Sequence, residues 1–166
     1  MQDTPYVPLQ YPNIFGTDVS GTVVALGTDV TRFNIGQRVI AHCDSLMTHQ
    51  PSRAGFQSYT TCREILVAAI PDSLPLAAGA VLPLSISTAA AGLFNNLALP
   101  FPALDPVPSG KTVLIWGGSS SCGSSSIQLA VAAGYKVAAT AGKANQEYVN
   151  HPSNYSRKAF AKFETY

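Results

Sequence analysis

Charge is scarce in this sequence. Asp, Glu, Lys and Arg make up 11% of its 166 residues, against an apolar content of 46%; a quarter charged is usual for a soluble domain. So little charge implies a well-supplied core and an uncharged surface with adhesive faces. Neither sign dominates: ten basic and nine acidic residues give a net charge of +1, which offers no electrostatic case for nucleic acid or a membrane surface as partner. No uninterrupted apolar run approaches the ~18 residues that span a bilayer. The opening MQDTPYVPLQYP has no basic region and no apolar core, so it does not read as a secretory signal. Cysteine is sparse too. Cys43, Cys62 and Cys122 are odd in number and irregularly spaced, which points to reduced thiols and a cytoplasmic location rather than a disulfide framework. No paired-carboxylate pattern stands out, and the serines lie in the wrong frame for a Gly-x-Ser-x-Gly elbow.

The informative stretch runs from Lys111 to Val149. Thr112 to Trp116 is an apolar β-former run ending in Gly117-Gly118. A Ser/Gly-rich turn follows, then a small-residue helical segment, Ser124 to Ala133, closed by Gly134. Lys136 to Thr140 is a second β-former run. Strand, glycine turn, helix and strand open a dinucleotide-binding βαβ unit. A flexible Gly/Ser linker is the alternative, and the flanking strands argue against it. Gly118, Ser120 and Gly123 fall on the three glycine positions of the G-x-G-x-x-G fingerprint. The first allows a tight turn, the second a close approach to pyrophosphate, the third close helix–strand packing. Serine in the middle is a small departure, and its hydroxyl can donate to phosphate. Ser119, Ser121 and Cys122 complete the turn, with N–H groups at the helix start that favour an anion. Cys122 at that position would have a lowered pKa, but a facing pyrophosphate opposes it, so a packed or cofactor-contacting thiol is the better reading.

The end of the second strand bears on the cofactor. NAD-binding versions carry an acid about 20 residues on, to hold the ribose hydroxyls. Here Ala138-Ala139-Thr140-Ala141-Gly142-Lys143 brings no acid before Glu147. Lys143 would attract a 2′-phosphate that a carboxylate would repel. Gly142, Lys143 and Asn145 therefore point to NADP(H), against the plainer reading of Lys143 as a solvated loop lysine.

Residues 1–15 are proline-rich. Val19 to Leu26 and Gln37 to Ala41 read as strands separated by glycine turns, and Phe56 to Thr61 and Glu64 to Ala69 as two more, with a loop over 42–55. Short strands at this spacing indicate a compact β-barrel-like module. Beyond Pro75, Leu76 to Leu82 and Leu84 to Leu97 read as helices. Residues 98–110 are a proline-rich loop. After Val149 no clear strand is evident.

These segments resemble, in order, the parts of one family. GTDVSGTVVALGTDVTRFNIGQRV resembles the GroES-like segment of medium-chain dehydrogenase/reductases. GFQSYTTCREILVAAIPDSLPLAAGAVLPLSISTAAAGLF is similar to their barrel end and inter-domain helices, and TVLIWGGSSSCGSSSIQLAVAAGYKVAATAGKANQEYV to their nucleotide turn. The nearest likeness is to the zinc-independent branch of quinone-oxidoreductase-like proteins and fungal trans-acting enoyl reductases. The resemblance implies an α/β chain with a partial GroES-like β-barrel followed by the first βαβ unit of a Rossmann-type nucleotide-binding domain. The divisions expected are 1–75 for the GroES-like catalytic domain, 76–149 for inter-domain helices and a truncated Rossmann domain, and 150–166 for a divergent tail. It implies NADPH-dependent hydride transfer to an activated C=C or C=O of an enoyl, quinone or carbonyl substrate, free or carrier-bound. Thr88 would line the cleft near the nicotinamide. Two assemblies stay open, a homodimer or a pairing with a partner subunit.

The family continues on both sides of the stretch matched here, so the sequence is expected to be a fragment with reduced or no activity alone. The alternative is a non-catalytic remnant acting as a nucleotide-binding or subunit-interaction module. Zinc-dependent members carry Gly-His-Glu where this sequence has Gly16-Thr17-Asp18, and the spacing of His42, Cys43, His49 and Cys62 matches no zinc pattern. No metal is therefore expected, and Asp18 reads as a structural acceptor. No catalytic residue is identified; Tyr59 and Tyr148 are proton-donor candidates by type only.

Overall fold

The computed structural model describes residues 11–150 and 161–162. The start of the proline-rich segment and most of the tail expected over 150–166 lie outside the described residues. Two compact units meet in sequence at Leu84 and Ser85.

The first unit is built on a three-stranded antiparallel sheet, in the order β1 (Asp18–Thr22), β2 (Arg38–His42) and β3 (Val67–Ala69). Asp18 lies opposite His42 and Thr22 opposite Arg38. The ladder runs one step further, with Val23 N–H donating to Gln37 O at 2.9 Å and Gly36 N–H to Val23 O at 2.8 Å. It then stops short of the expected Leu26, because nothing covers the chain there: Val24 is 60% exposed. The loop between β2 and β3 holds a short helix, α1 (Ser45–Thr48), and a 3-10 turn at Pro51–Arg53.

The strand expected over Phe56 to Thr61 does not form. Its hydrogen bonds go elsewhere. Gly55 and Phe56 donate to Gly16 O and Phe15 O, and Thr61 N–H donates back to Ser52 O. The Gln57 amide donates to Ala54 O at 2.7 Å and Pro51 O at 3.1 Å. With these donors taken by Phe15 and by the preceding loop, the segment has no ladder to join. In the fourth expected strand, Glu64–Leu66 is a 3-10 turn and only Val67–Ala69 pairs.

α2 (Leu76–Gly79) and α3 (Pro83–Ala90) follow, the latter running on as a π-helical turn over Ala91–Asn96. Pro83 is tolerated because a first-turn N–H has no helical partner anyway. Taken together, Leu76–Asn96 is long and apolar enough, by length and composition alone, to cross a membrane. The sequence conceals this because Pro83 and the polar Ser85, Ser87 and Thr88 break the apolar run. One stripe of it is buried. Ser85, Ala89 and Leu93, at helical spacing, are each 4% exposed.

In the second unit, β4 (Thr112–Ile115), α4 (Ser121–Ala132) and β5 (Lys136–Ala139) form a right-to-expectation βαβ unit, with β4 parallel to β5 and Ile115 opposite Ala139. α5 (Gln146–Asn150) follows. A two-residue β6 (Ala161–Lys162) then pairs parallel with β5 on its other side. This corrects the expectation of only two such strands: two residues suffice to add to a waiting edge without any β-former run of their own. The order β4-β5-β6 is that of a Rossmann half, the third strand adding beyond the second. The core gathers Leu93, Ile115, Ile127, Ala130, Val137, Ala141 and Val149, so α4, α5 and the π-helical turn all pack on this sheet.

Candidate functional site

The turn between β4 and α4 is held by its own backbone. Gly117, at φ +76°, takes the left-handed conformation that the reversal needs. Gly118 serves packing instead of turning: a Cβ there would meet Ala139 Cβ at 2.9 Å and Ile127 Cδ1 at 3.0 Å. A Cβ on Gly123 would run into the carbonyl oxygen of Gly117 and lie 2.9 Å from Gly118 Cα. Helix and turn touch backbone to backbone, which only glycine permits.

Ser120 starts the helix three residues earlier than the composition suggests. In an extended conformation, it accepts from Gly123 N–H at 3.0 Å and donates its hydroxyl to Gly117 O at 2.8 Å. This is an N-cap, and it spends on the turn itself the hydroxyl that the sequence offers to phosphate. The N–H groups of Ser121 and Cys122, the first two of α4, have no acceptor among the described residues. Ser121 is exposed, and Ser119 and Cys122 are partly so. A bare helix N-terminus, with no side chain at Gly123 and small hydroxyls around it, fits a dinucleotide pyrophosphate.

Thr140 is the residue that sequence reasoning overlooks. Its hydroxyl accepts from Gly117 N–H at 3.0 Å, its carbonyl from Gly118 N–H at 2.8 Å, and its own N–H donates to Ile115 O at 3.0 Å. It clamps the glycine turn to the end of β5, two residues before Gly142. A β-branched hydroxyl ending the second strand was the available signal. Thr140→Val keeps the shape and removes the acceptor. It should cost about 1 to 2 kcal/mol in urea unfolding, and Thr140→Ser should recover most of that.

Past Thr140, Lys143 and Asn145 lie on an exposed 3-10 turn, with Asn145 N–H donating to Gly142 O at 2.8 Å. The clamp therefore brings Gly118–Gly123 and Gly142–Asn145 to one end of the sheet. Thr88 is exposed on α3, one turn beyond Ser85, and α3 is fastened to α4 by the buried Ser85–Ser125 hydroxyl pair at 3.0 Å. Tyr148, on α5, is 48% exposed.

In the first unit, Asp18 is a long-range acceptor. Its carboxylate takes the Leu84 N–H at 2.6 Å and the Thr17 hydroxyl at 2.7 Å, satisfying a donor at the start of α3. Tyr59 is 76% exposed. Among the described residues, no three His, Cys, Asp or Glu side chains cluster to hold a metal ion.

Residues 2–72 match the alcohol dehydrogenase GroES-like domain. The chain is 66% identical over 149 residues to the trans-enoyl reductase himH of Aspergillus japonicus, covering 90% of this chain and 44% of that protein. It superposes on an alcohol dehydrogenase superfamily protein from Novosphingobium aromaticivorans with a TM-score of 0.69 at 32% identity, covering 87% of this chain and 41% of that one. For the CurK enoyl reductase the TM-score is 0.61 at 26% identity, with 82% and 36% covered. The chain thus spans less than half the length of these relatives. Its GroES-like segment, its parallel sheet and this likeness in sequence and fold agree: the chain belongs to the medium-chain dehydrogenase/reductase superfamily, with homologues among the fungal trans-enoyl reductases.

Proposed function

We propose that this chain carries the nucleotide turn of an NADP(H)-dependent oxidoreductase that reduces an activated C=C or C=O, of the enoyl reductase type. The observation that carries the reading is the turn itself: glycine backbone packed on backbone, two unclaimed N–H groups at the start of α4, and a Thr140 clamp that fixes Lys143 at the same end of the sheet. The bound nicotinamide supplies the hydride. The chain's own residues bind and orient. Ser121 and Cys122 N–H groups would hold the pyrophosphate, with Ser119 alongside, and Lys143 and Asn145 the 2′-phosphate. Thr88 would face the nicotinamide side. Asp18, hydrogen-bonded to Thr17 and Leu84, orients the start of α3.

Fluorescence titration of the purified chain tests this. Saturable NADPH binding, preferred over NADH, is expected; a folded chain that binds neither overturns it. Lys143→Glu should weaken NADPH binding about tenfold and leave NADH within about threefold. A second reading, a non-catalytic module that pairs with another subunit, is favoured by β4. That strand is an edge of the described sheet, and Leu114 is 63% and the adjoining Trp116 80% exposed. Weak nucleotide binding without turnover of enoyl thioesters or quinones would favour it.

A further inference from the structure

Cys43 and Cys62 take no part in the nucleotide turn. Cys43 directly follows β2, its N–H donates to Thr17 O at 2.7 Å, and it is 1% exposed. Cys62 comes in 19 positions later, partly exposed, just ahead of the 3-10 turn at Glu64–Leu66. Nothing in their sequence spacing pairs them. The fold does: the two Sγ atoms are 3.9 Å apart, with Thr60 Oγ1 3.9 Å from the Cys43 sulfur.

The residues next in sequence fasten the same two segments together. Asp44, with a side chain only 4% exposed, is 2.9 Å from Arg63 Nε and 3.6 Å from Arg53. One ion pair thus sits beside the two sulfurs and holds them in register. The thiols are within hydrogen-bond distance of one another. A hydrogen bond from Cys62 holds Cys43 below the usual thiol range against the opposing effect of burial. The same bond, with burial, pushes Cys62 up.

We propose that Cys43 and Cys62 are a redox-active dithiol that closes to an intramolecular disulfide by exchange with a low-molecular-weight disulfide. A thiolate of the pair attacks one sulfur of the small disulfide. A mixed disulfide forms and one small thiolate leaves. The second cysteine, as thiolate, attacks the protein sulfur of the mixed disulfide, and the second small thiolate leaves. The two cysteine protons end on two small thiols; the protein loses two electrons and the small disulfide gains them. The sulfurs close from 3.9 Å to a bond of about 2.05 Å. The product encloses residues 44–61, including α1 and Asp44.

The test is made on the native chain in buffers of oxidised and reduced glutathione, with alkylation under denaturing conditions and peptide mapping. The expected product is a Cys43–Cys62 linked peptide lighter by two hydrogens, with Cys122 alkylated. It should exceed any pairing with Cys122 at least about tenfold, because the second step is intramolecular and prearranged. Cys122→Ser should form it equally well. Three results would overturn the proposal: both cysteines alkylated in oxidising buffer, pairing with Cys122 to a similar extent, or an equal yield of the link in urea.

Discussion

Gly123→Ala should abolish saturable NADPH binding and lower stability by about 2 to 4 kcal/mol. The added methyl meets backbone, not a movable side chain: the Gly117 carbonyl oxygen, and Gly118 Cα at 2.9 Å. Relief requires the turn to open. Opening it breaks the Ser120 cap on Gly123 and pulls Gly117 and Gly118 off Thr140. The N–H groups that would meet the pyrophosphate then lose their alignment, so affinity falls with stability. Gly142→Ala is the matched control. Gly142 has φ −60° and open space around it, so that change should stay within about 0.5 kcal/mol and leave the turn folded. Urea unfolding and NADPH titration on both variants read the difference. If Gly123→Ala folds and binds like the parent, the backbone contact does not hold the site together.

Ile127→Ala should cost about 3 kcal/mol. Ile127 is 0% exposed, in the core cluster shared by Ile115, Val137 and Val149, and its Cδ1 fills the space over Gly118. Truncation removes the transfer energy of the lost carbons and leaves a cavity between helix and sheet, which places Ile→Ala changes at about 2 to 5 kcal/mol. Against a usual total of about 5 to 15 kcal/mol, that is a large share. The urea midpoint should drop with an unchanged slope. Trp116→Ala, by contrast, removes a side chain that is 80% exposed, and should move stability by no more than about 0.5 kcal/mol. If the two substitutions cost the same, α4 is not packed as described.

Both predictions rest on the part of the chain that was most legible. The run Thr112 to Trp116, the glycines and the run Lys136 to Thr140 each specify their own conformation within a few residues, and the parallel pair forms where they predict it. Within the turn, residue type is a weaker guide to role. Ser120 looked like a phosphate donor and is a helix cap; Gly118 looked like the turning residue, and Gly117 turns. Cap geometry depends on where the helix starts, and a tract of serines marks no single start. The first unit was harder. Phe56 to Thr61 has strand-like composition, but a strand exists only where a neighbour accepts its hydrogen bonds in register, and here Phe15 and the preceding loop take them first. β6 is the converse: an edge already in place pairs with residues that carry no strand signal.

The sequence by itself determined the βαβ unit, the glycines at its turn, the missing acid before Glu147 and the family. Each of these is written in local residue order, where spacing of a few positions is enough. Only the tertiary structure decided that Thr140 clamps the glycine turn, that Asp18 receives the Leu84 N–H across 66 positions, and that Cys43 and Cys62 stand 3.9 Å apart. These contacts join residues far apart in the chain. Their partners are selected by how strands and loops close on one another, and no local pattern encodes that closure.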